Sequence, residues 1–288
     1  MQPRIFLNGN FIEKERATVS ALDAGFLYGF GVFETLRSYQ GRPFLLDRHL
    51  QRLFSSARTL GLRSAFSEAE ITQATLRLLE INGLSDAYIK IVLSKKGETS
   101  PGTHFKEPSD SNLLIIAREL HAYSPELYAR GMKAVVVDIR QNEGSPLPHL
   151  KSLNFLNNLL AREEARQKGA DEGILLNNHG LVVEGAMSNL FLVKGGIILT
   201  PSPETGLLPG VTRAVVMELA RGIGHPVQER KISLSELLEA EECFLTNSLM
   251  EIMPVSSIGE IKIGREVPGP LTRILREEYQ KLVKKETY

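Results

Sequence analysis

Four short apolar segments, 173–176, 181–184, 189–193 and 197–200, follow one another with turn signals at Asn178-His179-Gly180 and Gly195-Gly196. Each is too short for a helix and rich in branched or aromatic residues, so each reads as a strand. Turns this tight reverse the chain, and the spacing predicts an antiparallel meander in the second half. Helical signals surround it. Leu208-Pro209-Gly210-Val211-Thr212-Arg213 opens a helix to Gly222, and Ser233 and Glu236 have capping-box spacing before a short helix. A strand at 243–246 follows, and Gly269-Pro270 precedes a terminal amphipathic helix through Leu271, Ile274, Leu275, Tyr279 and Leu282.

The first half mixes the same elements. Asn8-Gly9 between two apolar pairs is a hairpin signal, because both residues accept positive φ. A glycine-rich approach at 25–31 leads into a strand at 32–39; it lacks the third glycine and the preceding strand of a dinucleotide fingerprint. Asp47 is expected to cap a helix at 48–60 with Leu50, Leu53, Phe54, Ala57 and Leu60 buried. Ser67 and Glu70 form a capping box before a helix through Ile71, Ala74, Leu78 and Ile81, and 87–93, 112–117 and 132–139 read as strands. The expected organisation is a smaller N-terminal α/β domain at 1–120, a linker at 121–130 and a larger C-terminal domain at 131–288.

Composition narrows the function. Lysine plus arginine equals aspartate plus glutamate at 34 each, so no polyanion is implied and nucleic acid is not an expected partner. The single cysteine, Cys243, lies in an apolar run; no internal disulfide can form, and a reducing, cytoplasmic setting is expected. No run approaches a membrane span, and no two of the six histidines have metal-ligand spacing, so neither membrane nor metal is expected.

Chemistry concentrates around Lys151. Pro146 and Pro148 keep the approach extended, while Leu153, Leu156, Leu159 and Leu160 recur at helical spacing beyond it and are expected to pack on a core. A lysine so placed is a candidate imine-forming amine. Glu184 ends an apolar strand, where an acid needs a partner. Gly210-Val211-Thr212 sits at a helix start, whose free amides favour an anion, and Thr246-Asn247-Ser248 puts three polar side chains after a strand. An amine, an acid and an anion-binding helix start are what pyridoxal phosphate asks of a protein.

Five segments, Gly31-Val32-Phe33-Glu34-Thr35, His49-Leu50-Gln51-Arg52-Leu53, Lys151-Ser152-Leu153-Asn154, Glu184-Gly185-Ala186-Met187-Ser188-Asn189-Leu190-Phe191 and Gly210-Val211-Thr212-Arg213, resemble the class IV, fold-type IV pyridoxal-phosphate enzymes, in the same order along nearly the whole chain. The resemblance implies two α/β domains with the cofactor in the cleft between them, homodimers, and a small-molecule amino substrate. It implies that Lys151 is the Schiff-base lysine, carried by the C-terminal domain, and Glu184 the partner of the pyridine nitrogen. Arg52, Val211, Thr212 and Ser248 would contact the phosphate, and Phe33, Thr35, His104 and Asn247 the substrate. A vitamin carrier of the same fold would not need Lys151 with Glu184.

Within that family, Phe33-Glu34-Thr35 and the stretch from Thr246 to Val255 are most similar to 4-amino-4-deoxychorismate lyases, which release pyruvate and the folate precursor 4-aminobenzoate. The alternative is a class IV aminotransferase acting on branched-chain or other amino acids with 2-oxoglutarate. The D-amino acid branch carries an arginine two residues before a histidine; here Gly102 stands in the arginine's place and only His104 remains. Lys95, Lys96, Arg37 and His104 are the cations available for substrate carboxylates.

Overall fold

The computed structural model describes residues 2–98 and 109–287. By contacts the chain divides into two compact units: Met1–His121 with Leu150–Asn154 and Val283–Tyr288, and Ala122–His149 with Phe155–Leu282.

The first unit is built from β1 (Arg4–Leu7), β2 (Asn10–Glu13), α1 (Ala24–Tyr28), β3 (Gly31–Tyr39), β4 (Arg42–Pro43), α2 (Leu46–Thr59), β5 (Leu62–Arg63), α3 (Glu68–Ile81), β6 (Ala87–Lys95) and β7 (Ser109–Glu119). Its sheet runs β2-β1-β7-β6-β3-β4, with β5 on β7. Asn8 and Gly9 turn the first hairpin at positive φ, as their types allow. The core lies on the face where Leu36, Ile89, Ile91, Leu93 and Ile115 meet Leu50 and Leu53 of α2 and Ile71 and Leu78 of α3. Ser67 accepts from Glu70 N and the Glu70 carboxylate accepts from Ser67 N, the reciprocal cap expected at α3. Asp47 does not cap α2. That helix starts two residues earlier than expected, at Leu46 after Leu45 in the left-handed conformation, and Asp47 falls inside its first turn.

The second unit contains α4 (Pro125–Arg130), β8 (Met132–Gln141), α5 (Leu156–Gln167), β9 (Glu172–Asn177), β10 (Val182–Gly185), β11 (Asn189–Lys194), β12 (Ile197–Pro201), α6 (Val211–Gly222), β13 (Val227–Arg230), α7 (Leu234–Leu238), β14 (Glu242–Asn247), β15 (Glu251–Ile258), β16 (Ile261–Lys262) and the start of α8 (Pro270–Thr287). All four strands of the expected meander form, but the meander does not. The order β10-β9-β8-β15-β14-β11-β12-β13 separates the two hairpins, because β8, β15 and β14 insert between them. The parallel pairings of β8 with β9 and β15 are long-range and leave no local signal.

The leucine stripe expected to pack on a core faces outward. α5 begins at Leu156, and its buried side is Ala161 and Ala165 against Val137, Leu175 and Val183. Leu156, Leu159 and Leu160 are 66%, 50% and 51% exposed. Leu150–Asn154, expected with the C-terminal domain, belongs to the first unit. Phe33 N donates to Lys151 O at 2.8 Å, Leu153 N donates to Gly31 O at 2.9 Å, and Ser152 bridges Val32, so the segment pairs as a short extra strand along β3. Gly31 permits this approach, since a Cβ there would lie 2.6 Å from Leu153 Cδ1 and from Leu93 O.

Candidate active site

Alternation along β3 sends its side chains to opposite faces. Glu34 points to the α2 side and is fully buried. It accepts from Arg52 Nε on Oε1 and from Arg52 Nη2 on Oε2, both at 2.7 Å, and its Oε2 is 2.7 Å from His49 Nδ1. His49 and Arg52 lie three apart on α2, which places both over one residue of the strand beneath. Burial pushes the Glu34 carboxyl up, but the Arg52 guanidinium and the His49 imidazole overcome this and hold it at about 2. Burial also lowers His49, against Glu34 and helped by the charges of Arg52 and Lys151, so a neutral imidazole donates to an ionised carboxylate. A side-on bidentate carboxylate fixes the guanidinium plane of Arg52 in advance of any ligand.

Phe33 and Thr35 occupy the other face of β3. Lys151 Nζ lies 4.9 Å from the centre of the Phe33 ring and Lys90 Nζ lies 4.4 Å from it. Thr35 pairs with Lys90 across β3 and β6. Arg118, opposite Tyr88 on β7 and stacked on its ring at 4.5 Å, is close enough that its charge adds to burial in lowering Lys90. Sequence reasoning passed over Lys90 and Arg118. Alternation along β6 is the signal that could have found Lys90, since it falls in step with Tyr88 and Val92, away from Ile89, Ile91 and Leu93. Of the expected site residues, the first unit therefore gathers Phe33, Thr35, Arg52 and Lys151 around β3. His104 lies outside the described residues.

The second unit gathers the others. Glu184, near the end of β10, is buried; its Oε2 accepts from Asn189 Nδ2 at 3.1 Å and from Leu208 N at 3.2 Å. Two residues beyond Leu208, Gly210 stands at the start of α6, where no side chain caps the helix. The first amides of Val211 and Thr212 are thus left for an anion, with both side chains buried beside them. Asn247 and Ser248 follow β14. The Asn247 amide is engaged within the fold: Nδ2 donates to Met187 O at 3.0 Å, and Oδ1 accepts from Leu249 N and Met250 N. Met187 belongs to the turn after Glu184, which is held from below by Glu172, whose carboxylate accepts from Ser188 Oγ at 3.0 Å and Met187 N at 3.4 Å. Burial pushes the Glu172 carboxyl above its usual range.

The first unit supplies an amine beside an aromatic ring and a preset arginine, and the second unit supplies a buried carboxylate with N–H donors and an uncapped helix start. Each answers one demand of pyridoxal phosphate: aldehyde, phosphate, pyridine nitrogen, phosphate again. The residues present fit the cofactor. Among the described residues no group of three His, Cys, Asp or Glu could hold a metal ion, and no helix is long and apolar enough to cross a membrane.

The amino-transferase class IV family model matches residues 31–258. The chain belongs to that family. Its members are the fold-type IV pyridoxal-phosphate enzymes of the resemblance drawn above, and the five motif segments all fall inside the match. The chain is 37% identical over 278 residues to a Methanocaldococcus jannaschii protein named as a branched-chain-amino-acid aminotransferase, covering 96% of this chain and 95% of the relative. It is 37% identical over 281 residues to the aminodeoxychorismate lyase of Bacillus subtilis, covering 97% and 94%. Among solved structures, the branched-chain amino acid aminotransferase of Escherichia coli superposes with a TM-score of 0.92 at 31% identity, covering 100% of this chain and 97% of that one. Class IV enzymes of both chemistries are thus equally similar in sequence, and the fold is common to them.

Proposed function

We propose that the protein is a pyridoxal-phosphate-dependent 4-amino-4-deoxychorismate lyase, releasing pyruvate and 4-aminobenzoate for folate synthesis. The observation that carries the reading is the Lys90–Arg118 pair. Lys90 and Arg118 stand diagonally on adjacent strands, with no acid partner among the described residues, on the face of β6 and β3 that carries Phe33 and Thr35 and meets Lys151. Like charges held together on a half-buried face favour an anion between them. A substrate with two carboxylates supplies it, and the resemblance of Phe33-Glu34-Thr35 and of the stretch from Thr246 to Val255 to the lyase branch ranks the lyase first among the class IV enzymes that take such a substrate.

When bound, the cofactor supplies an aldehyde for the substrate amine and a protonated ring that draws electrons from the carbon bearing it. Arg52, the start of α6 with Val211 and Thr212, and Ser248 hold the phosphate. Glu184 keeps a proton on the pyridine nitrogen. Lys151, as the free amine, takes the proton from the carbon bearing the substrate nitrogen. The bond from the substrate ring to the enolpyruvyl oxygen then breaks; that fragment gains a proton and leaves as pyruvate, and the ring becomes aromatic as 4-aminobenzoate. Phe33 and Thr35 line the substrate, and Asn247 shapes the loop that presents Ser248. Lys90→Gln keeps the side-chain length and removes the charge, so KM for a dicarboxylic substrate should rise roughly 10- to 100-fold with kcat little changed. An unchanged KM would remove Lys90 from the site.

The second reading, a class IV aminotransferase, is favoured by the equal identity to the Methanocaldococcus jannaschii relative. One parallel assay separates the two. 4-Amino-4-deoxychorismate should yield pyruvate and 4-aminobenzoate, whereas glutamate from branched-chain amino acids plus 2-oxoglutarate, without pyruvate release, reverses the assignment.

The same reading includes a homodimer in the cytoplasm. Phe26 at 70% exposed and Leu27 and Tyr28 beside it in the first unit, and the outward leucines of α5 in the second, are apolar surface of the kind an interface covers. Cys243 is buried with its thiol pushed up by burial, which leaves it chemically quiet. Leu156→Glu with Leu160→Glu should turn a dimeric sedimentation profile monomeric at micromolar protein. A profile that stays dimeric would place the interface elsewhere.

A further inference from the structure

Asn189 is the residue after the turn that follows Glu184, and it is 6% exposed. Its Nδ2 donates twice, to Glu184 Oε2 at 3.1 Å and to Leu208 O at 2.8 Å, and so spends both hydrogens of the amide. Leu208 N donates in turn to the same Glu184 oxygen, closing a small ring of hydrogen bonds between β10, β11 and the loop before α6. The amide oxygen faces the other way, against Gly210. A Cβ on Gly210 would lie 2.0 Å from Asn189 Oδ1, so only glycine can start α6 here. Reversing the amide would set its oxygen against two acceptors, Glu184 Oε2 and Leu208 O, which fixes its orientation. Register places Asn189 directly opposite Thr246 on β14, while its amide stays committed to Glu184 and Leu208.

We propose that Asn189 is a positioning residue that sets the Glu184 carboxylate and the start of α6 relative to one another, so that the anchor for the pyridine nitrogen and the anchor for the phosphate form one rigid body. The inference rests on the reading of Glu184 and the α6 start as cofactor anchors. Its consequence is electrostatic as well as geometric. The Asn189 N–H favours the ionised carboxylate, and an oxygen in its place would oppose it.

The test uses pyridoxamine 5'-phosphate, which lacks the aldehyde and so reports the noncovalent grip without Lys151. Binding to apoprotein is titrated by absorbance between pH 6 and 9 for the wild type, Asn189→Asp and Asn189→Ala, with the thermal midpoint of each apoprotein measured alongside. Asn189→Asp is isosteric. When protonated it can still donate to Glu184; once ionised it sets a second carboxylate against it. Its affinity should fall with pH at least roughly tenfold more than that of the wild type, whereas Asn189→Ala should be weaker by roughly tenfold at every pH. Asn189→Asp following the wild-type pH profile, or either variant losing thermal stability while binding like wild type, overturns the proposal. Glu184→Gln is the control for the reading beneath it. If Glu184→Gln leaves affinity and spectrum unchanged, the anchor assignment itself fails; if Glu184→Gln shifts them and Asn189→Asp does not, only the role of Asn189 fails.

Discussion

Lys151→Ala protein is expected to fold, to stay colourless when pyridoxal phosphate is added, and to turn over substrate on the order of 10³-fold more slowly or worse. The fold should survive because the segment is held by its backbone: the bonds from Phe33 N to Lys151 O and from Leu153 N to Gly31 O do not involve the side chain. The side chain contributes a cation–π contact with Phe33 at 4.9 Å, worth about 0.5–1 kcal/mol at a partly exposed site. Circular dichroism and the unfolding midpoint should therefore match the wild type closely, while the visible band and kcat disappear together. Turnover within tenfold of the wild type, at full cofactor loading, would show that another group does the proton transfer and would dismantle the proposed mechanism.

The second large effect is on stability. Glu34→Gln leaves the Arg52 guanidinium and the His49 imidazole around a neutral amide at a fully buried position. Removing one partner of a buried ion pair costs about 3–5 kcal/mol, because the remaining charge has lost its compensation. Denaturant unfolding of the first unit should register it, and cofactor affinity should fall as well, since Arg52 would no longer be held in one plane. A loss below about 1 kcal/mol would mean that water or another acid compensates Arg52. The pH dependence has a definite sign. Glu34 sits at about 2 in the fold against an ordinary 4.5, so between those values the unfolded chain binds the extra proton. The stabilisation is complete above the ordinary value and is lost as pH falls toward 2. The variant should lack that part of the acid slope.

What the sequence made legible was local. Asn8-Gly9, the Ser67–Glu70 box and the short branched runs of both sheets each carry their instruction within a few residues, and each forms as read. The order of strands in the second sheet was not legible, since β8 and β15 pair across more than a hundred residues with no turn to report it. The α5 stripe shows a different limit. Periodicity announces that Leu156, Leu159 and Leu160 share a side, but not whether that side meets this chain's own core; two alanines, Ala161 and Ala165, turned out to be the inward contact because their small side chains let the helix lie close on β8 and β9. In the candidate site, the residues with a family motif were visible in advance, whereas the groups that orient them were not. Glu34, His49 and Asn189 lay inside the quoted segments without a role, because a hydrogen bond between residues 15 or 18 positions apart, or between a strand and a distant loop, leaves no spacing rule.

The pairing of residues 151–153 with β3 also bears on how the protein is made. Among the described residues, the outer edge of β3 at Gly31, Val32 and Phe33 is paired by that short stretch, more than a hundred residues later in the chain. A ribosome that has delivered the rest of the first sheet still holds a nascent chain with an open strand edge, of the kind that pairs with other copies in a crowded cell. Delivery of the stretch that carries Lys151 closes that edge, so the last strand to complete the first sheet is the one that brings the amine assigned above to the cofactor under the proposed function.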